Sequence, residues 1–350
     1  MKGDEVRALQ ALAPEAEDRL IKWRRIAVAL GAGLVVVVAF VVPIPAIYAF
    51  LPGPARDVER LVEISDERTY SSEGKLYLTT VLVDTQVTLA EWVETAIDPN
   101  KAIVLKSDFA PEGVSLEELD RQQRVEISDS KRHAQEVALS ALGYGRPTGS
   151  GAQVELTEPG EPAHGVLKPG DVILTVDGRR VETSCDVGGA VARHAVGEKV
   201  TLRVRRDGEE LSLSLRTGDD PADPQAPFLG VAMSDVDYKF DPGVEAKFRT
   251  GAIGGPSAGL MFSLALYDRL TSDDLTGARS IAGTGTIGCD GGVGPIGGVE
   301  QKVAGAELKG ADVFLAPVAN AEAARSAADE MDVVAVSSFY EAVKYLEDLE

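Results

Sequence analysis

At 350 residues, 44% of them hydrophobic, the chain is long enough for two or three domains with sizeable cores. Its 35 basic against 56 acidic residues give a net charge of -21, a surface that repels phosphate backbones and argues against a nucleic-acid partner. Two cysteines and three histidines, with no CxxC or HExxH spacing, leave no zinc site, and no metal or cofactor is expected.

The first predicted element is a membrane span. Ile26 to Val42 (IAVALGAGLVVVVAFVV) is uncharged, and the apolar run continues through Pro43 and Pro45 to Leu51. A bilayer core of ~30 Å takes about 20 helical residues, so a transmembrane segment is expected over 26–51, behind a cytoplasmic segment 1–25. The apolar core is longer than that of a cleaved signal peptide, and only a weak small-residue site stands near Ala46 to Ala49. A retained signal anchor is therefore favoured. Lys22, Arg24 and Arg25 precede the span, and Asp57 and Glu59 follow it. The positive-inside rule then gives a single-pass protein of the cell membrane, N-terminus in the cytoplasm and the rest outside.

Residues 57–142 read as a mixed α/β extracytoplasmic segment. Lys75 to Val83 (KLYLTTVLV) is predicted as a strand, and Leu89 to Ala96 and Ser130 to Leu142 as helices. No catalytic constellation stands out there, and its acidic residues read as a solvated face. Pro147 to Gly151 (PTGSG) marks a boundary. Beyond it come a strand (Ala152 to Leu156) and a second one (Val172 to Val176) bracketed by Pro169-Gly170 and Asp177-Gly178. A helix over Glu182 to His194 and a hairpin turning at Asp207-Gly208 follow.

This block, residues 145–217, resembles a PDZ domain on Leu167-Lys168-Pro169-Gly170-Asp171-Val172-Ile173 and Val176-Asp177-Gly178. The resemblance implies a small, mainly β module that docks extended peptides on a sheet edge. Its docking loop is expected near Gly143, Tyr144 and Gly145, although the usual Gly-Leu-Gly-Phe signature is missing there. Gly218 to Pro227 (GDDPADPQAP) reads as a linker. Residues 228–350 then alternate apolar runs with helical stretches, an α/β or α+β pattern. Cys185 and Cys289 stand 104 residues apart in different blocks, so no disulfide scaffold is implied, and a single bridge stays open for an oxidising compartment.

The chemistry concentrates in two glycine-rich stretches of the last block. Gly254-Gly255-Pro256-Ser257-Ala258-Gly259 leads into a helix-forming run, which predicts Ser257 in a first helical turn, where unpaired N–H groups favour negative charge. A serine attacking a carbonyl needs such donors nearby, because the tetrahedral intermediate carries an oxyanion. A helix cap is the plainer role for a serine at that place. The second stretch, Thr284-Gly285-Thr286 through Gly294-Pro295-Ile296-Gly297-Gly298, delivers Lys302 into another helix start among apolar neighbours. Desolvation lowers a lysine's pKa toward ~7–8, where it serves as a base, and Thr284 is the hydroxyl placed to orient it.

Residues 228–345 resemble the proteolytic domain of Lon-type proteases on Gly255-Pro256-Ser257-Ala258-Gly259, on Thr284-Gly285, and on Pro295-Ile296-Gly297-Gly298 ending at Lys302. With the anchor and the PDZ block, the chain looks like the bacterial membrane-anchored PDZ/Lon-like proteases. The resemblance implies a serine endopeptidase with Ser257 as nucleophile, Lys302 as general base and Thr284 as its support, and oxyanion contacts from the backbone of Gly255, Pro256 and Ser257. It also implies polypeptide substrates and a ring of subunits, six being the candidate number, which no residue here shows. Two departures stand: the family's acidic residue three positions before the serine is Gly254 here, and no Gly-x-x-x-x-Gly-Lys-Ser/Thr loop is present, so no ATP-driven step is expected. A serine–histidine enzyme is disfavoured because His133, His164 and His194 lie in or before the PDZ-like block and no Gly-x-Ser-x-Gly elbow occurs. A non-catalytic scaffold and a protein that cuts only itself are the rival readings.

Overall fold

Proline decides where the first element stops. In the computed structural model, which describes residues 2–109, 114–220, 223–251 and 253–349, helix α1 (Lys2–Val41) carries an apolar stretch, Ile21–Val41, no residue of which is buried in the protein. Pro43 and Pro45 cannot continue a helix, lacking the N–H and clashing with the preceding turn. The apolar residues expected to complete the span over 26–51 therefore change role. Strand β1 (Ile47–Pro52) takes them, and Ile47, Tyr48 and Ala49 are buried.

The chain forms two compact units: one holds the residues up to Pro52 together with Val81–Val114, the other Gly53–Thr80 together with Ser115 onward. After β1 the chain lays down β2 (Arg56–Asp57), β3 (Val62–Ser65) and β4 (Lys75–Leu78) in the second unit. It then returns to the first with β5 (Val81–Asp84), α2 (Leu89–Ile97), β6 (Ala102–Leu105) and α3 (Lys106–Phe109). Lys75–Val83, expected as one strand, is thus two strands of different sheets. The break falls at Thr79 and Thr80, whose hydroxyls donate to the carbonyls of Gly283 and Pro54. Nor is 57–142 a block of its own, since its ends join the second unit; residues 110–113 of that call lie outside the described residues. The first unit is a β5-β1-β6 antiparallel sheet.

In the second unit, helix α4 (Leu116–Ala141) precedes a sheet of β7 (Ala152–Thr157), β8 (Val172–Val176), β9 (Arg179–Arg180), β10 (Lys199–Arg206) and β11 (Glu209–Arg216), with α5 (Ser184–Val191) inserted before β10. Asp207 and Gly208 both take positive φ, 52° and 87°, the tight β10–β11 turn their sequence demands. Gly218–Pro227, expected as a linker, instead contributes to an antiparallel ribbon of β12 (Gly218–Asp220) and β13 (Asp223–Phe228); Pro221 and Ala222 lie outside the described residues. The sheet also runs past residue 217, for β14 (Val231–Asp235) pairs antiparallel with β7 and ends the order β11-β10-β8-β7-β14.

The remaining elements are β15 (Glu245–Phe248), α6 (Gly259–Leu270), β16 (Ser280–Gly283), β17 (Thr286–Ile287), β18 (Val293–Gly294), α7 (Val299–Glu307), β19 (Val313–Pro317), α8 (Ala321–Ala327), β20 (Asp332–Val336) and α9 (Phe339–Glu347). They form a β2-β4-β16-β19-β20 sheet in which β4, β16, β19 and β20 are parallel. A parallel sheet covered on both faces reads as continuous apolar runs, and all five residues of β19 (VFLAP) are buried. Alternate residues serve two cores. Leu76, Leu78, Ile281 and Leu315 pack with α4, α6 and α9, whereas Ala282, Phe314 and Ala316 pack with α7 and α8. The early segments β4 and α4 are therefore integral to this domain.

Cys185, in the first turn of α5, is joined by a disulfide to Cys289 in the β17–β18 loop, with Cα atoms 5.8 Å apart. The bond ties the β7–β14 domain to the α/β domain across 104 residues. Replacing both cysteines with serine is expected to lower the unfolding free energy of the full chain by about 2–4 kcal/mol, read by urea denaturation in detergent. Thiol titration of the unfolded, unreduced protein should find no free thiol.

Candidate active site

The serine loop is shaped by backbone freedom at one residue. Gly255 holds φ at 79°, a value side-chain-bearing residues seldom take, and Pro256 follows it. Helix α6 begins only at Gly259, so Ser257 lies in the turn before the helix, where a first helical turn was expected. Helix α4 supports this turn from below. The Gly255 N–H donates to the Gln123 carbonyl (3.1 Å), and the buried Ser130 hydroxyl donates to the Pro256 carbonyl (3.0 Å). A Cβ added at Gly259 would fall 2.7 Å from Ser130 Oγ and 2.4 Å from Ile287 Cγ2, so the helix start needs glycine there for close approach.

Lys302 is reached by another glycine device. Gly298 caps α7 in the left-handed region (φ 65°), and the Asn320 side chain clamps Ile296, accepting from its N–H at 2.9 Å and donating to its carbonyl at 3.0 Å. Four residues into α7 the lysine is 4% exposed, flanked by buried Val299 and Val303. Burial pushes its pKa down to about 7. Its amine donates to Thr284 Oγ1 at 3.1 Å, and Thr284 is fully buried at the end of β16. The threonine hydroxyl in turn donates to the Ser257 carbonyl (3.1 Å), which also accepts from the Gly285 N–H (2.9 Å). Ser257, Thr284 and Lys302, far apart in sequence, thus meet at one place. Ser257 and Lys302 are linked through Thr284 and the Ser257 carbonyl rather than by a direct hydrogen bond.

The backbone N–H groups of the serine loop are used unequally. Gly255 spends its N–H on Gln123 and Pro256 has none, whereas the N–H groups of Ser257 and Ala258 have no backbone acceptor among the described residues. None of the histidines pairs with Ser257: His133 faces the Ile287 carbonyl (3.2 Å), His164 faces Thr157 (3.3 Å), and His194 faces Asp177 (2.7 Å). Among the described residues no cluster of His, Cys, Asp and Glu could hold a metal ion.

Gly143, Tyr144 and Gly145, expected as a docking loop, follow α4, and Tyr144 packs on the α4–α6–α9 core instead. A different run shares the central Leu-Gly of the signature sought there. Phe228-Leu229-Gly230-Val231 leads into β14, the last strand of its sheet, and Leu229, Val231 and Met233 share a core with Val187, Ala190 and Val191 of α5. Gly230 needs its positive φ of 68°, and a Cβ there would lie 2.1 Å from that of Glu161. The strand's other edge is unpaired among the described residues, and the Ser184 N–H at the start of α5 donates to Asp235 at its end (2.6 Å). This partial signal lay after the domain's other strands.

Comparison with known proteins finds two domains, with limits that differ from the packing: the first takes in α4 and stops short of β14. A family model described as PDZ domain covers residues 113–217, and one described as Lon protease (S16) C-terminal proteolytic domain covers residues 240–346. The chain therefore combines a PDZ domain with a Lon-type proteolytic domain. Lon protease 2 of Bacillus subtilis is 31% identical over 114 residues, 32% of this chain and 19% of that protein. A probable periplasmic serine endoprotease DegP-like of Halomonas elongata is 35% identical over 81 residues, 23% of this chain and 17% of that protein. The chain thus spans less than a fifth of the length of these relatives. Among solved structures, the PDZ domain of an SdrC-like protein from Listeria monocytogenes matches 25% of this chain and 90% of its own, at 22% identity and a TM-score of 0.23.

A buried lysine that folds neutral costs stability. The unfolded chain binds a proton at Lys302 up to pH 10.5, and the folded chain only up to about 7. Within that window the unfolded state holds more protons, so stability rises with pH across it. The shift is worth on the order of 5 kcal/mol. Lys302→Met, an apolar replacement of similar length, is expected to raise the unfolding free energy at pH 7 by roughly 1–4 kcal/mol and to flatten its rise with pH, read by denaturant titrations at several pH values.

Proposed function

We propose that this chain is a membrane-anchored, ATP-independent serine endopeptidase acting on unfolded or flexible extracytoplasmic polypeptides through a Ser257–Lys302 dyad. The observation that carries the reading is the buried Lys302 amine, with a pKa near 7, tied through Thr284 to the backbone of Ser257. Neutral Lys302 takes the Ser257 proton as the hydroxyl oxygen attacks the substrate carbonyl. Thr284 accepts an N–H from the amine and so aims its lone pair away from itself, toward the serine. The oxyanion of the tetrahedral intermediate is received by the N–H groups of Ser257 and Ala258. Collapse expels the amine, which takes the proton from Lys302, and leaves an acyl-enzyme. Water, activated by the same lysine, then releases the second product and restores Ser257.

The groove between β14 and α5 supports peptide docking by strand addition, with the Phe228–Val231 turn receiving the peptide's end. The apolar stretch Ile21–Val41 supports a retained single-pass anchor, and its basic flank supports a cytoplasmic N-terminus. A ring of subunits, with six as the candidate number, is carried over from the family resemblance alone.

The test is the full chain in detergent with an unfolded, carboxymethylated protein and no nucleotide, beside Ser257→Ala and Lys302→Ala. Each substitution is expected to cut cleavage at least about 100-fold, the scale of a lost nucleophile or base. The parent's kcat/KM should rise with pH to a plateau above about 7, where Lys302 is neutral. Equal cleavage by all three proteins would overturn the dyad. Products from this chain alone, with the added protein intact, would favour a self-processing role, and no cleavage by the parent would favour a scaffold.

A further inference from the structure

Helix α2 is turned inside out for a water-soluble fold. Its buried residue is Thr95, while Leu89, Trp92, Val93 and Ile97 are 46%, 40%, 49% and 78% exposed. Spaced i, i+3, i+4 and i+8, these four make one apolar stripe along the helix. Leaving such a stripe in water forfeits its burial free energy, and exposed apolar patches of this kind mark interaction surfaces.

The position of the stripe says what covers it. The start of α2 is fastened to the residues that leave the apolar helix, the Ile44 N–H donating to the Val87 carbonyl at 2.8 Å and Pro43 bridging to Thr88. Leu89 lines one groove with Leu34, Val35 and Val38, and another with Ala39, Phe40 and Val93. At 1.5 Å per residue, Leu34 lies roughly 10 Å inside the end of α1. The head of α2 thus sits at the depth of the last turns of the span, where lipid surrounds α1. The helix's charges are also answered locally. Glu91 closes a capping box on the Thr88 N–H (2.9 Å) and hydroxyl (2.7 Å), and Glu94 pairs with Lys101 (2.6 Å).

We propose that the apolar stripe of α2 lies in the headgroup and upper acyl region of the leaflet from which α1 emerges, as a second, interfacial contact with the membrane. The inference rests on the anchoring reading. It adds that the small β5-β1-β6 unit is seated on the bilayer by an in-plane helix rather than tethered above it. With two glutamates and an aspartate against one lysine between Leu89 and Lys101, the helix fits zwitterionic lipid and gains nothing from anionic headgroups.

Two tryptophans make this measurable. Trp23 stands at the basic start of the span and Trp92 in the stripe. The full chain is reconstituted in phosphatidylcholine vesicles with spin-labelled acyl chains as Trp23→Phe, leaving Trp92 to report, and as Trp92→Phe, leaving Trp23. The expected result is that both tryptophans are quenched by the lipid labels, with Trp92 ~5–10 Å into the headgroup/acyl boundary, several-fold more by the shallow label than the deep one, and poorly reached by aqueous acrylamide. Lipid quenching of Trp23 with acrylamide quenching of Trp92 would overturn the interfacial helix and leave the anchor standing. Trp92 shielded from both quenchers would mean that protein, such as a second copy, covers the stripe, and would also overturn it. A Trp23 that no lipid label reaches would mean the span itself is not inserted, so the anchoring reading would fail first.

Discussion

An ammonium group kept out of water is the constraint around which the proteolytic half is arranged. Lys302 is held at 4% exposure on a helix, α7, whose Val299 and Val303 share a core with Ala282 of β16, Phe314 of β19 and Ala324 of α8. The same burial that makes the lysine costly makes it neutral near pH 7. With no charge to satisfy, one hydroxyl suffices as a partner, and Thr284 has a second bond to give. That second bond reaches the Ser257 carbonyl, so the position of the serine follows from the position of the lysine. On the opposite side, α4 holds the loop through Gln123 and Ser130. The loop is thus held both by α4 and by Thr284 at the end of β16.

How much of this was legible depends on what kind of interaction each part uses. Ser257, Thr284 and Lys302 stood out because their loops need glycine for steric reasons, and a backbone at φ 79° or 65° leaves its mark in the letters Gly255 and Gly298. The grip of α4 did not stand out. A carbonyl accepting an N–H can belong to any residue, so Gln123 carries no signal, and Ser130 resembles any helix serine. The split of Lys75–Val83 was hidden because both halves are β-formers, and only the destinations of Thr79 and Thr80 separate them.

The PDZ groove was missed, and the disulfide left open, for a topological reason. The run Phe228-Leu229-Gly230-Val231 lies beyond the rest of its sheet in sequence, so its place at the edge beside β7 emerges only from the register Val231↔Thr157 to Asp235↔Ala152. Cys185 and Cys289 are likewise paired by the packing of two domains, which no spacing rule expresses. Gly218–Pro227 misled in the other direction, since proline and aspartate are common in linkers and are also tolerated in an edge ribbon such as β12–β13.

The proteolytic domain is interrupted twice. β4 and α4 precede the β7–β14 domain, while α6, β16, α7 and β19 follow it. A ribosome delivers these parts in that order, so a growing chain holds β4 without its neighbour β16, and α4 without the loop it supports. Until α7 and β19 emerge there is no dry pocket, and a lysine in water at neutral pH keeps its proton. The buried, neutral state of Lys302 can therefore form only after the last parallel strands and α7 have been made, because the order of the segments puts its pocket last.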